Sequence, residues 1–192
     1  MKELAQRVRA QVAQAADQQI EFLTRLVALE TPTKAPARTR QGLQCLAAHL
    51  EQSGFRYRIL TGKRSGGQLL AVPRNRKRGQ PIQLLIGHVD TVWPCGTIEN
   101  MPLVLEDNLI KGPGVFDMKA GLCNALFALR ALQALQLKPA LTPVVFINTD
   151  EETGSHDSLC WLLRLARIAR RAYVMEPALD MTGKLKTARK GV

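Results

Sequence analysis

The sequence predicts an α/β domain, a largely parallel sheet with helices on both faces. Near-continuous apolar runs of strand length occur at 68–72 (QLLAV), 81–92 (PIQLLIGHVDTV) and 142–149 (TPVVFINT). Such runs mark strands buried on both faces, since half-exposed strands alternate. Between them lie segments whose apolar residues recur at helical spacing. The chain has 192 residues, 46% hydrophobic and 22% charged, enough for one full domain core.

The elements follow in order. Residues 2–30 carry Leu4, Val8, Val12, Ala15, Ile20, Leu23, Leu26 and Val27 at helical spacing and end at the breaker TPTKAP. A second helix is predicted over 40–53, with Leu43, Leu46, Ala47 and Leu50 on one face and Ser53-Gly54 closing it. Strands are predicted at 55–60, 68–72 and 81–92, then a hairpin over 103–112 turning at Glu106-Asp107-Asn108. An Ala- and Leu-rich helix over 118–137 leads to the strand at 142–149. A helix over 156–171 and a short strand, AYVM (172–175), complete the pattern and run into Glu176-Pro177.

The charge is lopsided, with 27 Lys and Arg against 16 Asp and Glu and a formal net of +11. Such a balance suits nucleic acid or an anionic surface. The bases are scattered, however, and only the RNRKR run at 74–78 is dense, between two strand-like segments where a solvated turn is the ordinary reading. No aromatic-interleaved patch accompanies it, which argues against a nucleic-acid partner. Cys45, Cys95, Cys123 and Cys160 stand far apart in sequence, the pattern of reduced thiols in a cytoplasmic setting. The first 22 residues contain no continuous apolar stretch, so neither a signal peptide nor a membrane span is expected there.

Chemistry concentrates where strands end. In open α/β sheets, ligands bind just beyond the carboxyl ends of strands. The 81–92 strand runs into His88-Val89-Asp90, the 142–149 strand into Asp150-Glu151-Glu152, and the last strand into Glu176. Asp117 sits in the glycine-rich turn GPGVFDMKAG before a helix. On an extended chain His88 and Asp90 share a face, so the carboxylate can hold the imidazole of a metal ligand. Adjacent Glu151 and Glu152 point different ways, one towards a cation and the other towards a water. Each group alone has an ordinary explanation: a satisfied core histidine, a solvated acidic turn, a helix cap. All of them at one sheet edge call for a cation, because unscreened like charges resist being brought together.

The strings GHVDTVWP, KGPGVFDMKAG, NTDEETGS and VMEP, in this order, resemble the M20 family of zinc peptidases and deacylases. That family includes glutamate carboxypeptidase, acetylornithine deacetylase and succinyl-diaminopimelate desuccinylase. The TDEETGS block and the tail TARKGV most resemble the glutamate carboxypeptidase branch. The resemblance implies a two-zinc site, with cobalt as an alternative occupant. His88 and Glu176 would bind one metal, Asp117 would bridge both, and Glu152 would bind the metal opposite His88. Asp90 would orient His88, and Glu151 would be the general base. Oxygen and imidazole donors suit these ions. Water acidified by a metal can surrender its proton to Glu151 while it attacks a polarised amide carbonyl.

The resemblance also sets expectations about extent. Residues 1–181 correspond to the N-terminal part of a metallohydrolase catalytic domain, and 182–192 to the start of a lid or dimerisation domain. The second metal-binding histidine of the family lies beyond Val192, as does the arginine that binds the substrate carboxylate. His49 and His156 match neither position and take structural or surface roles. The expectation is a truncated, weakly active or inactive relative of enzymes that cleave peptide or N-acyl amino acid amide bonds. Homodimerisation would belong to the intact form only, and no membrane partner is expected. The competing readings are a deacetylase or desuccinylase, and a non-catalytic remnant.

Overall fold

The computed structural model describes residues 2–107, 109–179 and 182–183. The helices are α1 (Lys2–Gln14), α2 (Ala16–Ala28), α3 (Pro36–Gln52), the short α4 (Thr97–Asn100), α5 (Ala120–Ala134) and α6 (Leu159–Ile168). The strands are β1 (Phe55–Leu60), β2 (Gln68–Pro73), β3 (Ile82–His88), β4 (Val104–Glu106), β5 (Leu109–Lys111), β6 (Thr142–Asn148) and β7 (Ala169–Val174).

Five strands form one sheet in the order β1-β2-β6-β3-β7. β2 pairs antiparallel with both β1 and β6, while β3 pairs parallel with β6 and β7. Four strands therefore point the same way and β2 alone is reversed, an α/β sheet of the expected class. Side chains alternate between faces. Val145 and Ile147 of β6 join Leu26, Leu46 and Leu122 in a large core under α2, α3 and α5. Val144 and Phe146 face the other way, towards Leu165, Trp161 and Leu162 of α6.

The positions of α5 and α6 follow from handedness. The step from β3 to β6 and the step from β6 to β7 run in opposite directions across the sheet. Parallel crossovers are almost always right-handed, so the two connecting helices must lie on opposite faces. The chain consequently leaves β3 and β6, which are neighbours, towards different sides. A crevice opens between their carboxyl ends, the ordinary ligand position in such sheets.

Local departures from the sequence pattern have local causes. The helix expected over 2–30 is broken at Ala15, whose φ of −98° and ψ of 9° leave the helical region. The bend brings α1, which buries nothing, against α5, while α2 keeps Phe22, Leu23, Leu26 and Val27 in the core. α3 starts at Pro36 instead of residue 40, because proline presets the first helical turn. α5 starts at Ala120 instead of 118, since Asp117 (φ −119°, ψ 102°) and Met118 are not helical. β7 starts at Ala169 instead of 172: Arg171 pairs with Gln83 and its Nε donates to Gln83 Oε1 at 2.8 Å. In the β4–β5 hairpin Glu106 pairs with Leu109 across Asp107, which has φ 49°. Asn108, expected in that turn, lies outside the described residues, as does the segment 184–192 of the expected lid start.

His49 lies between Phe22 and Phe127, with ring centroids 4.6 and 5.1 Å away. Burial, with Arg130 and Arg25 nearby, pulls its pKa down to about 4, so it is a neutral, half-buried residue at neutral pH. His156 is exposed in the turn before α6. Cys45, Cys95, Cys123 and Cys160 are free thiols. Among the described residues no helix is long and apolar enough to cross a membrane.

Close approach at one glycine positions the last acidic group. A Cβ on Gly121, in the first turn of α5, would stand 1.9 Å from the carbonyl oxygen of Met175. Only glycine lets the chain leaving β7 run this near α5, and Glu176 is the next residue. Gly121→Ala is expected to lower stability by about 1–3 kcal/mol, the usual cost of overpacking. Urea denaturation checks this, and a loss within ~0.5 kcal/mol would show that the two backbones separate freely.

Candidate metal centre

The crevice between β3 and β6 is lined by the side chains that the motifs singled out. β3 ends at His88, whose side chain is 1% exposed. Its Nδ1 lies 2.9 Å from the backbone carbonyl of Asp90 and 3.4 Å from Asp90 Oδ1. With Nδ1 carrying the proton, Nε2 is left as a donor atom facing the crevice. Around Nε2 stand Asp117 Oδ1 at 3.1 Å, Glu176 Oε1 at 3.4 Å and Glu151 Oε2 at 3.9 Å. Two sets of potential ligand atoms each fall within 4.8 Å of one another: His88, Glu151 and Glu176, and His88, Asp117 and Glu152. His88, Asp117, Glu151, Glu152 and Glu176 thus stand in one cluster, with Asp90 against His88. The grouping crosses the implied partition, since Glu152 falls in a set with His88 and Glu151 falls with Glu176.

Asp90 does more than face the imidazole. Its side chain is fully buried, and Oδ2 accepts hydrogen bonds from Thr33 Oγ1 at 2.8 Å and from the Glu152 N–H at 3.3 Å. The Glu151 N–H approaches Oδ1 at 3.4 Å. The nearest partner of His88 Nδ1 is the Asp90 main chain, while the Asp90 carboxylate chiefly holds the start of the acidic turn. Thr33 escaped the sequence reading, because a threonine in a breaker loop carries no signal of its own. Its place is set by the fold, where the TPT stretch pairs with 89–91: Thr91 N–H donates to the Thr31 carbonyl at 2.9 Å, and Thr33 N–H to the Thr91 carbonyl at 3.1 Å.

Asp150, the first acid of the TDEETGS turn, faces away from the crevice. Its Oδ2 accepts from the N–H groups of Asp157 at 2.7 Å and Ser158 at 3.1 Å, fixing the lead into α6. Lys119 is also buried: its Nζ donates to the Leu26 carbonyl at 3.0 Å, satisfying the end of α2. Burial lowers its pKa to about 8, with Glu30 opposing that fall.

The electrostatics of the cluster favour a cation. Burial drags the His88 pKa down, but hydrogen bonds and charge from Asp90 and Glu176 outweigh it and lift the value to about 11. Burial raises Glu152 to about 6, with Asp117, Asp90 and Glu151 adding to the rise and His88 opposing it. Glu151 is raised in the same way. These are the signs of negative charge crowded around too little positive charge, and a divalent ion reverses them. The donor set of one imidazole and several carboxylates fits zinc or cobalt. Beside Glu152 a cleft of about 550 Å³ is lined by Pro32, Thr33, Lys34, Val92, Pro94 and Cys95.

Fold and cluster together define an α/β domain able to hold divalent ions at the carboxyl edge of its sheet. Residues 84–187 match the Peptidase family M20/M25/M40, and the chain belongs to that family. It is 31% identical over 176 residues to carboxypeptidase G2 of Pseudomonas sp. (strain RS-16), covering 90% of this chain and 42% of that protein. It is 30% identical over 116 residues to succinyl-diaminopimelate desuccinylase of Ehrlichia chaffeensis (strain ATCC CRL-10679 / Arkansas), covering 58% of this chain and 29% of that one. Human carnosine dipeptidase 1 shares the fold, with a TM-score of 0.75 and 19% identity over 90% of this chain and 41% of that one. The chain spans less than half the length of each of these relatives.

Thr33 gives the centre a test at one remove from the ligands. Thr33→Val removes the hydroxyl that fixes Asp90 while keeping shape, and should weaken zinc affinity about 10- to 100-fold. Competition titration against a chromophoric chelator measures it. Unchanged affinity would mean that the Thr33–Asp90 hydrogen bond has no bearing on the cluster.

Proposed function

We propose that this chain carries metal-holding machinery of a zinc-dependent amidohydrolase acting on peptide or N-acyl amino acid bonds, of the carboxypeptidase type. The observation that carries this reading is the convergence of Asp117, Glu151, Glu152 and Glu176 on the buried His88 at a sheet crevice. The similarity to carboxypeptidase G2 supports a C-terminal peptide bond as substrate. The desuccinylase relative keeps N-acyl amino acids in the same class. On this reading residues 1–181 are part of a catalytic domain and 182–192 begin a lid, to which homodimerisation is assigned. Four free thiols support a cytoplasmic setting.

His88, Asp117, Glu152 and Glu176 would hold the ions, and Asp90 would fix the first of these donors. Bound divalent ions supply polarisation of the scissile carbonyl and acidification of the attacking water. Glu151 then has the proton work. Its side chain is 44% exposed, so it can meet a water from the cleft, yet stands 3.9 Å from His88 Nε2. It takes the water's proton as oxygen bonds to the carbonyl carbon, and returns it to the amine nitrogen as the C–N bond breaks. Its raised pKa suits both halves of that exchange, since a stronger base is also a usable acid after protonation.

Two measurements test the reading. Metal analysis after dialysis should find zinc or cobalt bound to the chain, and His88→Ala should release it; a chain that retains none removes the proposal. In a form that turns over substrate, Glu151→Gln should leave metal content unchanged and lower kcat by at least about 100-fold. Unimpaired turnover would exclude Glu151 as the base.

A further inference from the structure

A second cavity, of about 460 Å³, lies at the opposite end of the sheet from the metal centre. It is bounded by the start of β1 at Phe55, the end of β2 at Pro73, the start of β6 at Thr142 and the last turns of α5. Ile82 pairs with Thr142 and His88 with Asn148, so the length of β3 separates the two sites, roughly 20 Å at about 3.3 Å per residue. The volume is in the range that takes a small organic ligand.

The lining is mixed. Phe55, Leu129, Leu132 and Leu137 supply apolar lining, Arg74, Arg76 and Lys138 supply positive charge, and Asn75, Gln80 and Gln133 are neutral polar neighbours. Here the RNRKR run is put to a use that the metal centre does not explain. Arg74 is already engaged, donating from Nη2 to Glu51 Oε1 at 3.0 Å. Among the described residues, Arg76, Lys77, Arg78 and Lys138 form no ion pair. The Nε of Arg76 is buried from solvent and lacks a hydrogen-bond partner. That atom is closed to solvent, so Arg76 lines the cavity through its other atoms, and its charge, unlike that of Arg74, has no carboxylate beside it.

We propose that this cavity binds an amphipathic organic anion, with an alkyl or aromatic body on the apolar lining and a phosphate or carboxylate head between Arg76 and Lys138. A guanidinium offers paired donors matched to such a head, and Lys138 adds a point charge. Nucleic acid fits less well, because its phosphates would engage the exposed bases and leave the apolar lining unused.

Titration calorimetry of the chain with n-alkyl phosphates, below their micellar concentrations, tests this with inorganic phosphate and octanol as controls. From ethyl to octyl phosphate, each added methylene should tighten binding about two- to fourfold. Octyl phosphate should exceed both controls. The double variant Arg76→Gln/Lys138→Gln, its fold checked by circular dichroism, should lose about tenfold or more for octyl phosphate and nothing for octanol. Because the chain-length series uses the unaltered protein, it stands even if the variant does not fold. A flat series, octanol binding as tightly as octyl phosphate, or indifference to the double substitution overturns the proposal. So does a flat series with tight binding of duplex DNA, which would assign the bases to a nucleic-acid surface.

Discussion

The arrangement of the centre depends on one buried carboxylate. Asp90 lies just past the end of β3 with no solvent exposure, and meets three separate stretches of chain. It takes hydrogen bonds from Thr33 in the loop before α3 and from the N–H of Glu152 after β6, with the N–H of Glu151 close by. Its own main chain meets His88. A buried charge is tolerated only when donors surround it. That demand forces the 31–33 loop, the end of β3 and the acidic turn into fixed relation, and the crevice geometry follows.

The charges of the molecule sort along the strands. The carboxyl edge of the sheet gathers His88, Asp90, Asp117, Glu151, Glu152 and Glu176, whereas the far end carries Arg74, Arg76 and Lys138. The net of +11 therefore says little about the centre itself, where acids outnumber bases. A whole-chain count suggested anionic partners in general. In the fold, three of those bases, Arg74, Arg76 and Lys138, stand beside apolar side chains at the end of the sheet away from the acids. Between the two ends lies the packed interior of β3 and β6, with Leu84, Val144 and Phe146 fully buried.

What could be read beforehand was what repeats or what sits in a motif. The strands β2, β3 and β6 are apolar on both faces, and their runs are unmistakable. His88 and the acidic pair stand at the ends of those runs, where the topology makes ligand sites. What escaped depended on contacts between distant segments. Ala15 breaks a helix that no local signal interrupts, because α1 and α2 meet α5 separately. Arg170 and Arg171 look like the last turn of a helix, yet pairing with β3 draws them into the outermost of the described strands, β7. Thr33 is invisible to any local pattern, since its partner lies 57 residues away.

Three successive acids in TDEETGS would repel one another if they did the same work. The fold gives them different surroundings instead. Asp150 turns inward, where the N–H groups of Asp157 and Ser158 take the place of water and the chain is steered into α6. Its neighbour Asn148 reaches Ser158 Oγ at 2.9 Å and braces the same turn from the strand side. With Asp150 anchored, the 3₁₀ turn Glu151–Thr153 follows at once, and its first two N–H groups point at Asp90. The side chains of Glu151 and Glu152 thereby stay at the crevice beside His88, partly open to solvent. Their mutual repulsion is held in place by backbone hydrogen bonds on the far side, and that stored repulsion is what makes the crevice attractive to a doubly charged ion.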